Sequence, residues 1–196
     1  MSTAKNLPAH AVSLDLIAQT AVPVAMKIVD PQTQSALRLK LGGVNLANFR
    51  LNDGRQKLTQ DQLEIRLEDL KHLSLPKIPV RDPRLASYLQ PTPFLQADHP
   101  EIQALAAQIL NGERDGYRAA IKIKDWVYKE IAKQPTVSIP NALEVLQTRS
   151  GDCNEHTALF VAMARAVGIP ARIAVGLVFV RGAFYYHAWP EVYLDS

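Results

Sequence analysis

A single cysteine, Cys153, stands among the 196 residues. One thiol cannot form an internal disulfide, which excludes cross-linked secreted scaffolds, multi-cysteine zinc modules and iron–sulfur sites. Aromatic residues make up only 7%, and no uncharged apolar run reaches the length of a membrane span. Neither sign of charge dominates: the net charge is only +3, without a basic run or interleaved aromatics. A solvated surface explains that charge better than a phosphate-binding stripe, so no nucleic-acid partner is expected. Met1 to His10 lacks the hydrophobic core of a signal peptide. The expectation is a cytoplasmic chain, or a periplasmic or exported one if a longer precursor exists. What is present is an ordinary globular composition, 47% hydrophobic and 21% charged, with room for one large domain or two small ones.

Proline marks the main seam. Six of the 13 prolines fall between Pro76 and Pro100. Each removes a backbone donor and restricts its predecessor, so this stretch reads as an extended surface connection. Before it the hydrophobic period is two: Leu37, Leu39 and Leu41 alternate with Arg38 and Lys40, and Leu63, Ile65 and Leu67 with Glu64, Arg66 and Glu68. That alternation makes half-buried strands. Asp53-Gly54 is a hairpin signal between them. A small β-rich, sandwich-like domain is therefore expected over 1–80, a proline-rich linker over 81–97, and a second domain over 98–196.

After the seam the period becomes helical. Asp98 with Glu101 resembles a capping box ahead of Ile102, Leu105, Ala106, Ile109 and Leu110. Tyr117, Ala120, Ile123, Val127 and Ile131 form a second stripe, and Asn141 with Glu144 repeats the cap signal. A further helix is predicted to carry His156, Leu159, Met163, Ala166 and Val167, with Gly168 at its C-cap and Pro170 preventing continuation. Arg172 to Val180 and Ala183 to Leu194 then read as a β-hairpin broken at Arg181-Gly182. The fold class is α+β, helices first and antiparallel strands after.

Cys153 follows Ser150-Gly151-Asp152 and falls in the first turn of the predicted helix. Unpaired backbone N–H groups and the helix dipole there favour an anion, here the nucleophilic thiolate, although the Asp152 charge works against it. His187 returns 34 residues later on a strand, sharing a face with Trp189 and Glu191. A lone cysteine is usually a small buried hydrophobe, and a lone strand histidine is usually structural. The combination of a cysteine opening a helix and a hairpin bringing back a histidine is what suits a thiolate–imidazolium pair.

SGDCNEHTALFVAMARAVGIPAR followed by HAWPEVYL resembles the core of the bacterial transglutaminase-like superfamily, best between Leu143 and Leu194. The resemblance implies a papain-like α+β core behind an accessory domain, with Cys153 as nucleophile and His187 as base. It implies acyl transfer at peptide or isopeptide amides of a protein or peptide substrate, with no cofactor, most simply as a cysteine protease or amidase. Protein cross-linking, or an inactive binding module of the same fold, are the alternatives. The family's third triad member is an aspartate on the strand after the histidine strand. Asp195 is eight residues beyond His187, about 26 Å along an extended strand, so the chain reads as ending before that strand. Gln147 is a conceivable second oxyanion donor, though an exposed helix glutamine is the simpler reading. A zinc site of Cys153, His156 and His187 is a competing reading that lacks a fourth ligand. Tyr185, Tyr186, Trp189 and Tyr193 could line a groove, but strand aromatics more often pack, and no role is assigned to them.

Overall fold

The computed structural model describes residues 21–24, 27–67, 77–136 and 139–193. Asp195 and the amino-terminal ten residues lie outside them. The chain divides into two compact units, 25–73 in one, and 1–24 with 74–196 in the other.

In the smaller unit, β2 (Ala36–Lys40), β3 (Gln56–Thr59) and β4 (Gln62–Arg66) form one antiparallel sheet in the order β2-β4-β3. Leu37 faces Ile65, while Leu39 and Leu58 both face Leu63, so the alternating leucines share one face. Glu64 accepts hydrogen bonds from Arg38 and Arg66, which hold its carboxyl below the usual carboxylate range. The second layer of a sandwich is not among the described residues of this unit. The hairpin turn also differs from expectation. β3 and β4 join through Gln60-Asp61, with Gln60 at φ 57°. Asp53-Gly54 instead forms a local side-chain turn, in which Asp53 Oδ1 accepts from the N–H groups of Arg55 and Gln56. Residues 49–52 form no strand, so nothing pairs with β3 across Asp53-Gly54 and that turn is not a hairpin tip.

The larger unit holds α1 (Pro100–Leu110), α2 (Gly116–Glu130), α3 (Ala142–Thr148) and α4 (Cys153–Ala166). It also holds β7 (Ala171–Val180) and β8 (Ala183–Val192), with β1 (Val22–Pro23) on the far edge of β8. Two short strands, β5 (Ala132–Lys133) and β6 (Ser150–Gly151), pair in parallel. Apolar spacing puts Ile102, Ala106 and Leu110 of α1 and Ile123 and Val127 of α2 against α4, which is buried from Thr157 to Ala164. Helix starts follow capping chemistry. Asn141 accepts from the N–H groups of Leu143 and Glu144, as the sequence suggests. At α1 the cap is His99, whose Nδ1 accepts from the Glu101 N–H, rather than Asp98. Pro100 occupies the first helical position and so sets the boundary one residue later.

The proline-rich stretch is packed rather than free. Ile78, Leu95 and Ala97 are buried. The Ile78 N–H donates to the Arg114 carbonyl and the Val80 N–H to the Gly168 carbonyl. Proline in this stretch limits helix formation without preventing burial of its apolar neighbours.

The β7–β8 hairpin turns at Arg181 (φ 49°) and Gly182 (φ 92°), the two positive values a two-residue turn of primed type needs. The register that follows sets Gly176 opposite His187 and Ala174 opposite Trp189. β1 pairs only with Phe184 and Ala183, so beyond them the second edge of β8 has no strand partner among the described residues.

Candidate active site

Cys153 is the first residue of α4, and its position is fixed by the cap before it. Asp152 accepts from the Asn154 N–H, and the Asp152 N–H donates to Glu155 Oε2 at 2.9 Å, completing a capping box. Gly151 makes room for it: a Cβ there would lie 2.7 Å from Glu155 Cγ. Burial pushes the Glu155 carboxyl up, but hydrogen bonds from Asp152, the Thr136 hydroxyl and the Asp152 backbone outweigh it and leave it low. Asp152 is pushed up, first by burial and then by its hydrogen bond to Glu155.

This cap alters what the helix start offers the sulfur. Burial pushes the Cys153 thiol up, and the charges of Asp152 and Glu155 push the same way. The backbone N–H groups of Ala188 and of Cys153 itself oppose them without prevailing. The helix dipole alone favours a depressed thiol, with the Asp152 charge opposing it. Here first-turn donors are already taken by the Asp152 side chain, and two carboxyls lie within a turn of the sulfur. Asp152→Asn keeps a good cap while removing one of these charges, so the thiol falls and more thiolate is present at pH 7. Alkylation of Cys153 by iodoacetamide at neutral pH is expected to quicken on the order of threefold, measured by mass spectrometry.

The Ala188 N–H interaction sets the thiol against the β8 edge that lacks a strand partner, one residue from His187. Cys153 and His187 both line a cavity of about 510 Å³ with mostly apolar walls, including Val127, Phe160, Trp189 and Pro190. The cavity brings the two sequence-derived site residues together. Among the described residues no carboxylate hydrogen-bonds to the His187 ring. The ring instead lies beside the Trp189 indole, with centroids 6.4 Å apart and planes 22° from parallel. Trp189 in turn leans over Gly176, where an added Cβ would sit 2.7 Å from its Cη2.

His156 also borders the cavity, but its nitrogens face backbone carbonyls. Nδ1 is 2.7 Å from the Asp152 oxygen and Nε2 is 3.3 Å from that of Ile131. It ties the end of α2 to the start of α4. No group of three His, Cys, Asp or Glu suited to a metal ion occurs among the described residues, so the zinc reading is set aside. Gln147 is exposed on α3 and is not part of the cavity wall. Tyr186 donates from its hydroxyl to Asn154 Oδ1 at 3.0 Å, fastening β8 to the first turn of α4. Sequence reasoning left Glu155, Gly176 and Trp189 without a role. The Asp-x-x-Glu spacing signals the first, and a two-residue turn at Arg181-Gly182 implies the pairing of the second with His187.

The family model described as the transglutaminase-like superfamily matches residues 103–196. This segment belongs to the transglutaminase-like superfamily. The transglutaminase-like segment contains α2 to α4, the β7–β8 hairpin and the whole cavity. A candidate cysteine protease from Cytophaga hutchinsonii is similar in structure, with a TM-score of 0.58 and 26% identity. The overlap covers 68% of this chain and 47% of that one, so the chain spans about half the length of that relative. The periplasmic domain of TgpA from Pseudomonas aeruginosa, bound to ethylmercury, gives a TM-score of 0.47 at 19% identity, over 87% of this chain and 64% of that one. No curated protein sequence matches the chain. Among the described residues no helix is long and apolar enough to cross a membrane.

Proposed function

We propose that this protein is a thiol enzyme that cleaves or transfers acyl groups at peptide or isopeptide amides, chiefly as a cysteine protease or amidase. One observation carries the reading: Cys153 at a helix start and His187 on a strand line the same open cavity. The family match and the likeness to a candidate cysteine protease support it.

Because the resting thiol is pushed up, it holds its proton until attack begins. His187 takes that proton as Sγ adds to the amide carbonyl, then returns it to the departing amine. The tetrahedral oxyanion needs hydrogen-bond donors beside the sulfur, and the Cys153 N–H is one such group. The resulting thioester passes to water, giving the acid, or to an amine, giving a cross-link.

A second reading, a binding module that keeps the fold, draws on the raised thiol and on the lack of a carboxylate partner for His187 among the described residues. Alkylation of Cys153 by iodoacetamide across pH 5–10 separates the two. A catalytic pair gives a wild-type rate at neutral pH well above that of His187→Ala. Superposable profiles for the two proteins favour the binding module.

A further inference from the structure

We infer that Trp189, held over Gly176, is a positioning residue for the His187 imidazole, an inference that rests on the thiol–imidazole reading above. His187 and Trp189 are two residues apart on β8 and project from the same face of the hairpin. Directly across from His187 stands Gly176, and across from Trp189 stands Ala174. The indole does not stay over its own partner. It leans along the sheet until its tip lies above Gly176, where any Cβ would meet Cη2 at 2.7 Å. That lean brings the indole beside the imidazole, at 6.4 Å between centroids and 22° from parallel.

The consequence concerns rotation. A histidine on an open strand edge turns freely about its side-chain bonds unless something restrains it. In a cysteine–histidine pair a hydrogen-bonded third group does this job. Among the described residues no carboxylate reaches the His187 ring, whereas the indole closes off one side of it. Both rings border the cavity that holds Cys153, so the indole stands on the side of the imidazole where a substrate would enter. Gly176 is then a functional glycine at one remove, because its missing side chain is the space in which the indole rests.

Two variants of the full chain test this. Gly176→Ala displaces the indole without changing the identity of Cys153, His187 or Trp189. Trp189→Phe shortens the ring that reaches the imidazole, and it decides the question if Gly176→Ala does not fold. The readouts are ¹³C relaxation of the His187 ring carbons and the iodoacetamide rate constant of Cys153 at neutral pH. The expected result is a rigid ring in the wild type and a mobile one in both variants. Alkylation should slow about tenfold in each, and no further in the double variant, because the two act as one unit. Unchanged ring order, or alkylation within twofold of wild type, overturns the inference. Where wild-type Cys153 reacts no faster than in His187→Ala, the thiol–imidazole reading has failed and ring order alone decides the role of Trp189.

Discussion

His187→Ala is expected to reduce acyl transfer by about 10²–10⁴-fold, the range general acid–base catalysis supplies, while leaving the fold intact. The size follows from the state of the thiol. Burial and the Asp152 and Glu155 charges hold the proton on Cys153, so the base is needed in the attacking step itself. A thiol already ionised by its surroundings would lose less. His187 is only partly buried and leaves no large void on truncation, so its removal should cost little stability. The check is a pool of peptide amides with hydroxylamine as acceptor, which intercepts a thioester whatever the natural acceptor is. Hydroxamate formation should fall steeply in His187→Ala and disappear in Cys153→Ala, with the melting temperature nearly constant. The lowered rate should respond to pH through the thiol alone.

The largest expected loss of stability comes from Gly168→Ala, about 2–5 kcal/mol. Two costs add at this position. The backbone sits at φ +83°, where a Cβ is strained, and that Cβ would lie 2.6 Å from the Pro79 Cα. Neither side can move easily. The Gly168 N–H donates to the Arg165 carbonyl at the end of α4, and its carbonyl accepts from the Val80 N–H. Gly112→Ala is the matched comparison, since it shares the φ of +82° but meets nothing within 4 Å. It should lose only the strain part, about 1–2 kcal/mol. Thermal unfolding should therefore place Gly168→Ala on the order of 10 °C below wild type and Gly112→Ala only a few degrees below. Equal shifts for the two would mean that Pro79 does not press on the end of α4.

These two sites also show how far the sequence could be read. Gly168 announces itself, because a glycine after an apolar helical stripe and before Pro170 suits a left-handed helix end; it takes that conformation one residue beyond the cap, which is Val167. Pro79, which packs on it, carries no local sign of doing so. Its neighbours read as a surface connection because proline removes hydrogen-bond donors, yet Ile78 and Leu95 are buried through contacts with distant residues. The strands and helices were legible wherever the period was sustained over several residues. Errors fell at ends and turns, such as His99 in place of Asp98 and Gln60-Asp61 in place of Asp53-Gly54, where one side-chain hydrogen bond decides. At the site, Cys153 and His187 were visible from their types and settings. The direction in which the thiol is pushed was not, since it depends on burial and on Glu155, whose carboxyl reaches back beneath Gly151. Trp189 was visible as an aromatic but not as a neighbour of the imidazole. Its lean over Gly176 belongs to the sheet and not to the strand.

The pairing of Cys153 with His187 in acyl transfer is tested most directly by trapping the intermediate. The full chain would be incubated with a peptide-amide pool, quenched in acid, and examined by intact-mass and peptide-mapping mass spectrometry. The expected result is an acyl adduct on Cys153 that hydroxylamine removes, sharply reduced in His187→Ala and absent in Cys153→Ala. A wild-type protein that forms no adduct, while its unfolded thiol alkylates normally, would contradict the assignment.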